Sequence, residues 1–255
     1  MTVFAGYSRY YDLLYRDKDY AGEAIYVADL IRRHSPSARQ ILEIGCGTGA
    51  HAVEWAGMGF SVRGVDRSEG MLETAESRRA SLDSAIAERL SFDEGDARTV
   101  RLGRRYDAVT SLFHVMSYQT TNADIAAAFR TAREHLVPGG LFIFDCWYGP
   151  AVLRQWPSVT TKNLSDDTTT VERTAEPVVH VNQNVVDVNY TIVVTDRITS
   201  ERETLHETHS MRYLFTPEIE LALATAGMTL VDSMAWMKAE PPGIDSWGAC
   251  YVARA

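Results

Sequence analysis

The chain has 255 residues, 45% hydrophobic and 23% charged, an ordinary globular composition with enough length for one well-packed domain that carries an insertion. Its formal net charge of −9 disfavours attraction to a phosphate backbone, and no Lys/Arg-rich stretch reverses that balance locally, which argues against a nucleic acid substrate. No apolar run approaches the roughly 18 to 20 residues that span a bilayer, and no signal-peptide pattern opens the chain, so we predict a cytoplasmic protein without a membrane partner.

Helical and strand patterns alternate through the first part of the chain. The predicted elements are helix 21–33, strand 40–44, helix 51–58, strand 60–65 followed by Asp66, a helix capped by Ser68, strands 90–92 and 106–112, a helix capped by Asn122, and strand 141–144 after the turn Pro138-Gly139-Gly140. Because strands and helices alternate repeatedly, we predict a parallel sheet with right-handed crossovers.

The pattern changes between about residues 168 and 214. Hydrophobic residues there alternate with polar ones in a period of two, which predicts antiparallel hairpins, and they are Val186, Val188, Tyr190, Ile192 and Val194. Pro217 then opens a helix that ends at Gly227, and strands 229–234 and 247–253 follow. The predicted parts are an N-terminal helical lid (1–38), a core (39–150 with 215–255), and an antiparallel insertion (151–214) that caps the core or mediates dimerisation.

A glycine-rich loop follows the first strand, with Gly45, Gly47 and Gly49. Glycines at this point let the backbone approach a ligand closely, although a tight turn or a nicotinamide or flavin dinucleotide site would use them as well. The spacing is Gly-x-Gly-x-Gly rather than the Gly-x-Gly-x-x-Gly of dinucleotide sites. Glu43 precedes the loop, where its charge would favour a cationic ammonium group and disfavour a pyrophosphate.

Two further carboxylates follow the next strands. Asp66 ends the second strand, where it can accept hydrogen bonds from both hydroxyls of a ribose, a feature shared with NAD sites. Asp96 ends the third, where it can accept from the exocyclic amine of adenine while Met71 and Ala97 pack against the ring. The dinucleotide pattern does not require this second acid.

These motifs, together with Tyr106-Asp107-Ala108-Val109 and Pro138-Gly139-Gly140, resemble those of the class I S-adenosylmethionine-dependent methyltransferases over nearly the whole chain. The resemblance implies an α/β fold with a Rossmann-like, seven-stranded, mostly parallel sheet, helices on both faces, and an antiparallel β insertion after the fifth strand. It implies that the last strand, 247–253, runs antiparallel beside the sixth. It also implies S-adenosylmethionine as cofactor, S-adenosylhomocysteine as product, and a cofactor site formed by Tyr11, Glu43, Gly45, Gly47, Gly49, Asp66, Arg67, Met71, Asp96, Ala97 and Leu112.

A narrower resemblance concerns the methyl acceptor. It rests on Tyr10 to Leu13, Lys18-Asp19-Tyr20, Phe113, Phe144 to Tyr148 and the antiparallel insertion, which look like those of nucleotide-linked amino-sugar N-methyltransferases of deoxysugar biosynthesis. In that family N-terminal tyrosines, here Tyr11 and Tyr20, close over the methionine end and the substrate. The resemblance implies substrate contacts from Tyr20, Phe113 and Trp147. A histidine that the family places near the sugar amine falls on Tyr118 here, a departure that leaves the acceptor atom and the base open.

Several residues carry two interpretations. His114 and Tyr118 follow the fourth strand four positions apart and either line the acceptor pocket as catalytic candidates or pack structurally. Trp147 either roofs the substrate or fills the interface beneath the insertion, and the tyrosines at 7, 10, 11 and 15 form either a lid or N-terminal core packing. Arg101, Arg104 and Arg105 predict an exposed turn.

No metal site is predicted. Cys46, Cys146 and Cys250 lie too far apart for a disulfide framework or a zinc knuckle. The histidines of His206-Glu207-Thr208-His209 are three positions apart, so a strand directs them to opposite faces, and we favour a solvated strand.

The predicted function is S-adenosylmethionine-dependent methylation of a small molecule, specifically the nitrogen of a nucleotide-linked amino sugar, by a homodimer. Methyl transfer from a sulfonium has a good leaving group, so the protein chiefly aligns the acceptor and excludes water. The alternatives are O-methylation of a sugar or another small metabolite, a cofactor-binding regulatory or scaffold protein without activity, and an NAD oxidoreductase. The negative net charge does not exclude an anionic nucleotide sugar, because a few local donors can bind it.

Overall fold

The computed structural model describes Tyr11 and residues 13–255. The α-helices are α1 (Tyr20–His34), α2 (Ala50–Gly57), α3 (Glu69–Ala80), α4 (Ser84–Ala87), α5 (Asn122–Glu134), α6 (Gly149–Gln155) and α7 (Thr216–Thr225), with a 3₁₀ turn at Val115–Tyr118. The strands are β1 (Gln40–Ile44), β2 (Ser61–Asp66), β3 (Leu90–Glu94), β4 (Tyr106–Ser111), β5 (Leu136–Tyr148), β6 (Thr160–Ser165), β7 (Thr169–His180), β8 (Val185–Asp196), β9 (Arg202–Leu214), β10 (Thr229–Ala235) and β11 (Gly248–Arg254). Among these residues, no helix is both long and apolar enough to cross a membrane.

The core sheet has the strand order β3-β2-β1-β4-β5-β11-β10. Neighbouring strands from β3 to β5 run parallel. Strand β11 lies antiparallel between β5 and β10, so that Tyr251 stands opposite Phe144. The predicted Rossmann-like sheet and its antiparallel last strand beside the sixth core strand are therefore confirmed.

Helices cover both faces of the central strands β1, β4 and β5, so most residues of these strands are buried. Phe129 of α5 packs on one face against Phe142 and Phe144 of β5. On the other face Trp55 of α2 is fully buried and donates its Nε1–H to the carbonyl oxygen of Ala24 in α1 over 3.0 Å. Helices α1 and α2 are thus joined to each other as well as to the sheet.

The ends of two predicted helices test the capping signals. Ser68 caps α3 as predicted, accepting from the backbone N–H of Met71. The prediction that Asn122 caps α5 is wrong, because Thr121 is the cap and accepts from the N–H of Asp124 over 3.1 Å. Asn122 is the first helical residue instead, and its side-chain oxygen accepts from Arg212 of β9 over 2.6 Å.

The fifth strand is longer than predicted. It begins at Leu136 and continues through Pro138-Gly139-Gly140, which we had assigned to a turn. The chain's last residue pairs with this segment, since the N–H of Gly139 donates to Ala255 O over 2.8 Å and the N–H of Ala255 donates to Gly140 O over 2.9 Å. This pairing with a sequence-distant residue keeps the segment extended, while its register with β4 shifts there.

The insertion forms an antiparallel sheet in the order β6-β7-β8-β9. The predicted period of two is confirmed, because the side chains of Val186, Val188, Ile192 and Val194 are buried. Strand β6 extends the sheet before residue 168, where the polar sequence carries no alternation to predict it. The last residues of β9 pair in parallel with Trp147 and Tyr148 of β5, so the insertion continues directly into the core sheet.

Candidate functional site

A cavity of about 540 Å³ lies at the carboxyl ends of the parallel strands, where α/β sheets bind ligands. Residues from the segment before α1 and from β8 and β9 complete its wall. The predicted site residues that line it are Tyr11, Tyr20, Gly45, Gly47, Asp66, Arg67, Met71, Asp96, Ala97, Leu112, Phe113, His114, Tyr118 and Trp147. Glu43 and Gly49 are buried outside this lining.

The glycine loop is pressed against the 3₁₀ turn that follows β4. Gly45 has a φ of 77°, and a Cβ there would lie 2.5 Å from a methyl group of Val115. No larger residue fits without moving that turn, which carries Tyr118 at its end. The loop therefore sets the position of the adjacent wall of the cavity as well as its own.

Asp66 orders the loop from the end of β2. Its carboxylate accepts from the backbone N–H of Gly47 and of Ser68, each over 2.9 Å. Burial raises the pKa of Asp66, and these backbone N–H groups, which favour the charged form, act in the opposite direction. The side chain lines the cavity and has lone pairs beyond those two bonds, as an acceptor of ribose hydroxyls requires.

Asp96 is held by an arginine that sequence reasoning missed. Arg98 donates from Nε over 2.8 Å and from Nη2 over 2.6 Å to the two carboxylate oxygens. Hydrogen bonding to Arg98 is the main cause that holds the pKa of Asp96 below its usual range. Arg98 also contacts Asp124 of α5 over 3.0 Å. The adenine-facing candidate is therefore a fixed, ionised acceptor, although Arg98 occupies part of its hydrogen-bonding capacity.

A buried charge array that the sequence did not reveal lies behind the loop. His51 of α2 places Nε2 2.8 Å from Glu23 of α1 and Nδ1 3.5 Å from Glu43 of β1. Lys18 pairs with the same Glu23 oxygen. Burial alone would lower the pKa of His51, but the two carboxylates outweigh it and raise that pKa. The array ties α1 to the strand and helix that flank the loop.

Glu43 keeps one oxygen unused within the described part of the chain. Burial raises the pKa of this carboxyl, and its Oε2 makes no hydrogen bond to any residue that the structure describes. An acceptor buried without a donor is costly, so a cationic donor from a ligand would relieve that cost. The predicted role of Glu43 toward an ammonium group stays a prediction, since Glu43 is buried outside the cavity lining.

Two consecutive residues after β4 adopt left-handed backbone conformations. Phe113 has φ 61° and His114 has φ 63°, which costs free energy for residues with side chains. Buried Asp145 holds them in place, because its carboxylate accepts from the backbone N–H of His114 over 3.1 Å and lies 2.6 Å from Nδ1 of the same residue. Strand β4 ends at Ser111, one residue before the predicted end. The imidazole is thereby oriented on the cavity wall.

Tyr118 meets a histidine from the insertion. Its hydroxyl lies 2.9 Å from Nδ1 of His209, and Nε2 of His209 lies 3.0 Å from a carboxylate oxygen of Glu207. His206 and His209 do face opposite sides of β9, as predicted, but the solvated-strand interpretation is wrong for His209, which is buried and lines the cavity. The signal was available, since His209 shares its strand face with the hydrophobic residues Met211 and Tyr213.

Of the remaining aromatic and arginine candidates, those that the structure describes lie partly around the cavity and partly on the surface. Tyr15 lines the cavity and packs edge-to-face against Phe113, with ring centroids 4.9 Å apart. The rings of Tyr20 and His51 are 5.0 Å apart. Arg101, Arg104 and Arg105 are exposed, as predicted. Tyr7 and Tyr10 lie outside the described residues.

Comparison with known proteins gives a consistent family assignment. A family model described as a methyltransferase domain matches residues 41–140. The chain is 34% identical over 221 residues to the dTDP-3-amino-3,4,6-trideoxy-alpha-D-glucopyranose N,N-dimethyltransferase of Streptomyces venezuelae, covering 86% of this chain and 88% of that relative. It is 30% identical over 222 residues to the dTDP-3-amino-3,6-dideoxy-alpha-D-glucopyranose N,N-dimethyltransferase of Streptomyces fradiae, covering 86% and 82%.

A solved structure supports the same assignment. The S-adenosylmethionine-bound amino pentose methyltransferase CalS10 of Micromonospora echinaspora superposes with a TM-score of 0.75 at 27% identity, over 100% of this chain and 98% of that one. The chain belongs to this family of S-adenosylmethionine-dependent methyltransferases and is an enzyme that uses that cofactor. The oxidoreductase and the non-catalytic alternatives are thereby set aside.

Proposed function

We propose that this member of the S-adenosylmethionine-dependent methyltransferases methylates the amine of a nucleotide-linked amino sugar and releases S-adenosylhomocysteine. One observation carries the proposal: a single cavity joins the carboxylates suited to the cofactor with an aromatic wall that carries two oriented hydrogen-bonding side chains, His114 and Tyr118. The family relatives named above act on dTDP-linked amino sugars.

The cofactor half of the cavity fits a nucleoside that carries a cationic amino acid. Asp66 would hold the ribose hydroxyls and Asp96 the adenine amine, with Met71 and Ala97 packed against the ring. Glu43, with its unused buried oxygen, would balance the ammonium group through the glycine loop. Arg67, Leu112 and Tyr11 also line the cavity, and Tyr11 would cover the methionine end. When bound, the cofactor supplies an electrophilic methyl group on a sulfonium.

The acceptor half aligns the nucleophile. Tyr20, Phe113 and Trp147 would shape the space for the sugar ring, and either Tyr118, His114 or a bridging water would orient or deprotonate the amine. A neutral amine attacks without strong base assistance, whereas an alkylammonium must first lose a proton. The His114–Asp145 pair also suits a base for a hydroxyl group, so O-methylation of a sugar remains the second candidate.

The insertion and the N-terminal segment would exclude water. Tyr190 and His209 of the insertion line the cavity, and Leu14 packs in one cluster with Val171 and Ile192. We therefore propose that residues 151–214 act as a cap and that the segment before α1 acts as a lid over the core. Both would close the same cavity, because residues of both line it.

Cationic side chains near Tyr15 suit the phosphates of a nucleotide sugar. The ammonium group of Lys162 lies 5.9 Å and the guanidinium group of Arg173 5.7 Å from the Tyr15 ring centroid. Lys162 donates to the carbonyl oxygen of Leu14 over 2.7 Å and Arg173 to the hydroxyl of Tyr15 over 3.1 Å, so each would have to turn toward a phosphate to bind it. Because the net charge of the chain is −9, an anionic acceptor would need such local donors.

An acceptor panel tests the proposed function. With labelled S-adenosylmethionine, we expect turnover of dTDP-linked amino sugars and a rate at least about 100-fold lower for the matching hydroxy sugars, because the hydroxyl is the weaker nucleophile. The free amino sugar without its nucleotide serves as the control, and we expect its KM to be higher than that of the nucleotide-linked sugar. Equal or faster methylation of the hydroxy sugars would overturn the assignment to nitrogen in favour of the second candidate.

We also propose that the enzyme is a cytoplasmic homodimer. Among the residues that the structure describes, strand β6 forms the edge of the insertion sheet and pairs only with β7, so its other side would offer backbone groups to a second copy. The three cysteines are free and buried, as expected in a reducing compartment. Light scattering across micromolar concentrations is expected to give the mass of a dimer, and a monomer throughout would contradict this.

A further inference from the structure

A histidine and a glutamate from the insertion stand directly behind Tyr118. Glu207 and His209 lie two residues apart on β9 and so share one face of the strand. Their side chains are 12% and 5% exposed, respectively. The hydroxyl of Tyr118 lies 2.9 Å from Nδ1 of His209. Nε2 of the same histidine lies 3.0 Å from a carboxylate oxygen of Glu207, so the three side chains form one continuous chain of contacts.

The direction of these hydrogen bonds follows from the chemistry of the groups. An ionised carboxylate can only accept, so Nε2 of His209 must carry the proton that it donates to Glu207. A neutral imidazole with its proton on Nε2 has an unprotonated Nδ1, which therefore accepts from the hydroxyl of Tyr118. The carboxylate thus selects the tautomer that leaves Nδ1 ready to receive a proton.

Tyr118 itself is unsuited to act as a phenolate. Burial is the main cause that raises its pKa well above the usual value of 10, and the neighbouring Tyr15, Tyr190 and Glu207 act in the same direction while Arg173 opposes them. The hydroxyl can therefore pass a proton only if another group removes its own. The imidazole at 2.9 Å is such a group.

The other groups around His209 are aromatic or charged. The ring of Tyr190 lies edge-to-face with the imidazole, with centroids 4.9 Å apart, and burial raises the pKa of Tyr190 to about 12. The guanidinium group of Arg173 lies 5.0 Å from the Tyr190 ring. Compared with Tyr190 and Arg173, Glu207 is therefore the group that can act as counter-ion to a positive charge on His209.

We propose that His209 and Glu207 act as a proton-accepting pair behind Tyr118. They are positioning residues that act through Tyr118 and keep the acceptor amine unprotonated. This rests on the proposed function. An ammonium N–H of the acceptor gives its proton to the hydroxyl oxygen of Tyr118 as the hydroxyl proton moves to Nδ1 of His209. The amine is left neutral with its lone pair free, and the imidazolium is stabilised by Glu207. Once the imidazolium has released its proton to water, the same transfer removes the proton from the amine after it has gained a methyl group.

The test compares the wild-type enzyme with the variant His209→Asn. The asparagine keeps a hydrogen-bond acceptor near the Nδ1 position but cannot take a proton. We expect kcat to fall about 100-fold with little change in KM, as for the loss of a general base. An imidazole that is already protonated cannot accept, so the wild-type kcat should fall on the acid side of its pH profile. In the variant the acid-side fall should move to the higher pH at which the acceptor amine loses its own proton to solvent.

Three further variants and one matched control extend the test. Tyr118→Phe should match the loss in His209→Asn, and the double variant should lose no more than either, because the two groups act in one path. Glu207→Gln should reduce kcat about 10-fold. The matched control is His206→Asn, an exposed histidine on the opposite face of the same strand, which should leave kcat unchanged.

The measurements use whichever acceptor the wild-type enzyme turns over fastest. If that acceptor is a hydroxy sugar, the proposed function fails, while the pH profiles still decide the role of the pair. Binding of S-adenosylhomocysteine and the thermal midpoint show whether each variant is folded. A folded His209→Asn variant that keeps its kcat, or that loses kcat with an unchanged pH profile, would overturn the proposal.

Discussion

Replacing Asp66 with alanine is expected to weaken the binding of S-adenosylhomocysteine about 100-fold. The variant loses the carboxylate that we propose accepts from the two ribose hydroxyls, and a hydrogen bond to a charged group contributes about 1.5–3 kcal/mol. It also leaves the backbone N–H groups of Gly47 and Ser68 without their carboxylate, so the loop loses part of its order. Isothermal titration calorimetry measures the change directly, without any knowledge of the acceptor.

The control for Asp66 is a carboxylate on the neighbouring strand. Asp93 of β3 pairs with Arg63 over 2.5 and 2.8 Å and is not among the residues that line the cavity. Asp93→Ala makes the same change in net charge and is expected to alter the affinity less than about 3-fold, since long-range charge effects are screened by salt. Wild-type affinity in Asp66→Ala would show that the assigned ribose contact is wrong.

Replacing Trp55 with alanine is expected to reduce the free energy of unfolding by about 3–5 kcal/mol. The indole is fully buried between α1 and α2 and supports His51, whose ring stacks on it with centroids 5.8 Å apart. The substitution leaves a cavity, and it removes the indole donor that bonds the carbonyl oxygen of Ala24. Urea unfolding, with and without S-adenosylhomocysteine, measures both the loss and its effect on the site.

Trp156 provides the matched control for Trp55. It follows α6 and is 53% exposed, so Trp156→Ala removes the same side chain with little loss of buried area. We expect a change below about 0.5 kcal/mol, as for surface substitutions in general. Equal destabilisation by the two substitutions would show that the stability of the protein does not depend on the contact between α1 and α2.

The cofactor side of the site was predictable because its signals are local. A strand followed at once by Gly45 and Gly47, and a second strand followed by Asp66, place these residues at one sheet edge whatever the rest of the chain does. The alternation around Val188 likewise predicted the antiparallel insertion, since the period of a strand decides which side chains share a face. These features required only spacing, strand order and the chirality of the crossovers.

The parts of the site that were missed or misjudged depend on contacts between distant segments. His51 looked like an ordinary helix residue until α1 brought Glu23 against it, and His209 looked solvated until β9 placed it beside Tyr118. The continuation of β5 through its Pro-Gly-Gly segment likewise depends on pairing with Ala255. Nothing near these residues in the sequence specifies the partner.

The sequence by itself determined the donor: Glu43, the glycine loop, Asp66 and Asp96 predict a nucleoside with a cationic amino acid, because short-range geometry places them together. Only the tertiary structure decided what surrounds the acceptor. Periodicity states which face a side chain occupies, whereas the identity of the group it meets depends on how whole elements pack. The Tyr118–His209 contact spans 91 residues of sequence, so no local pattern could encode it.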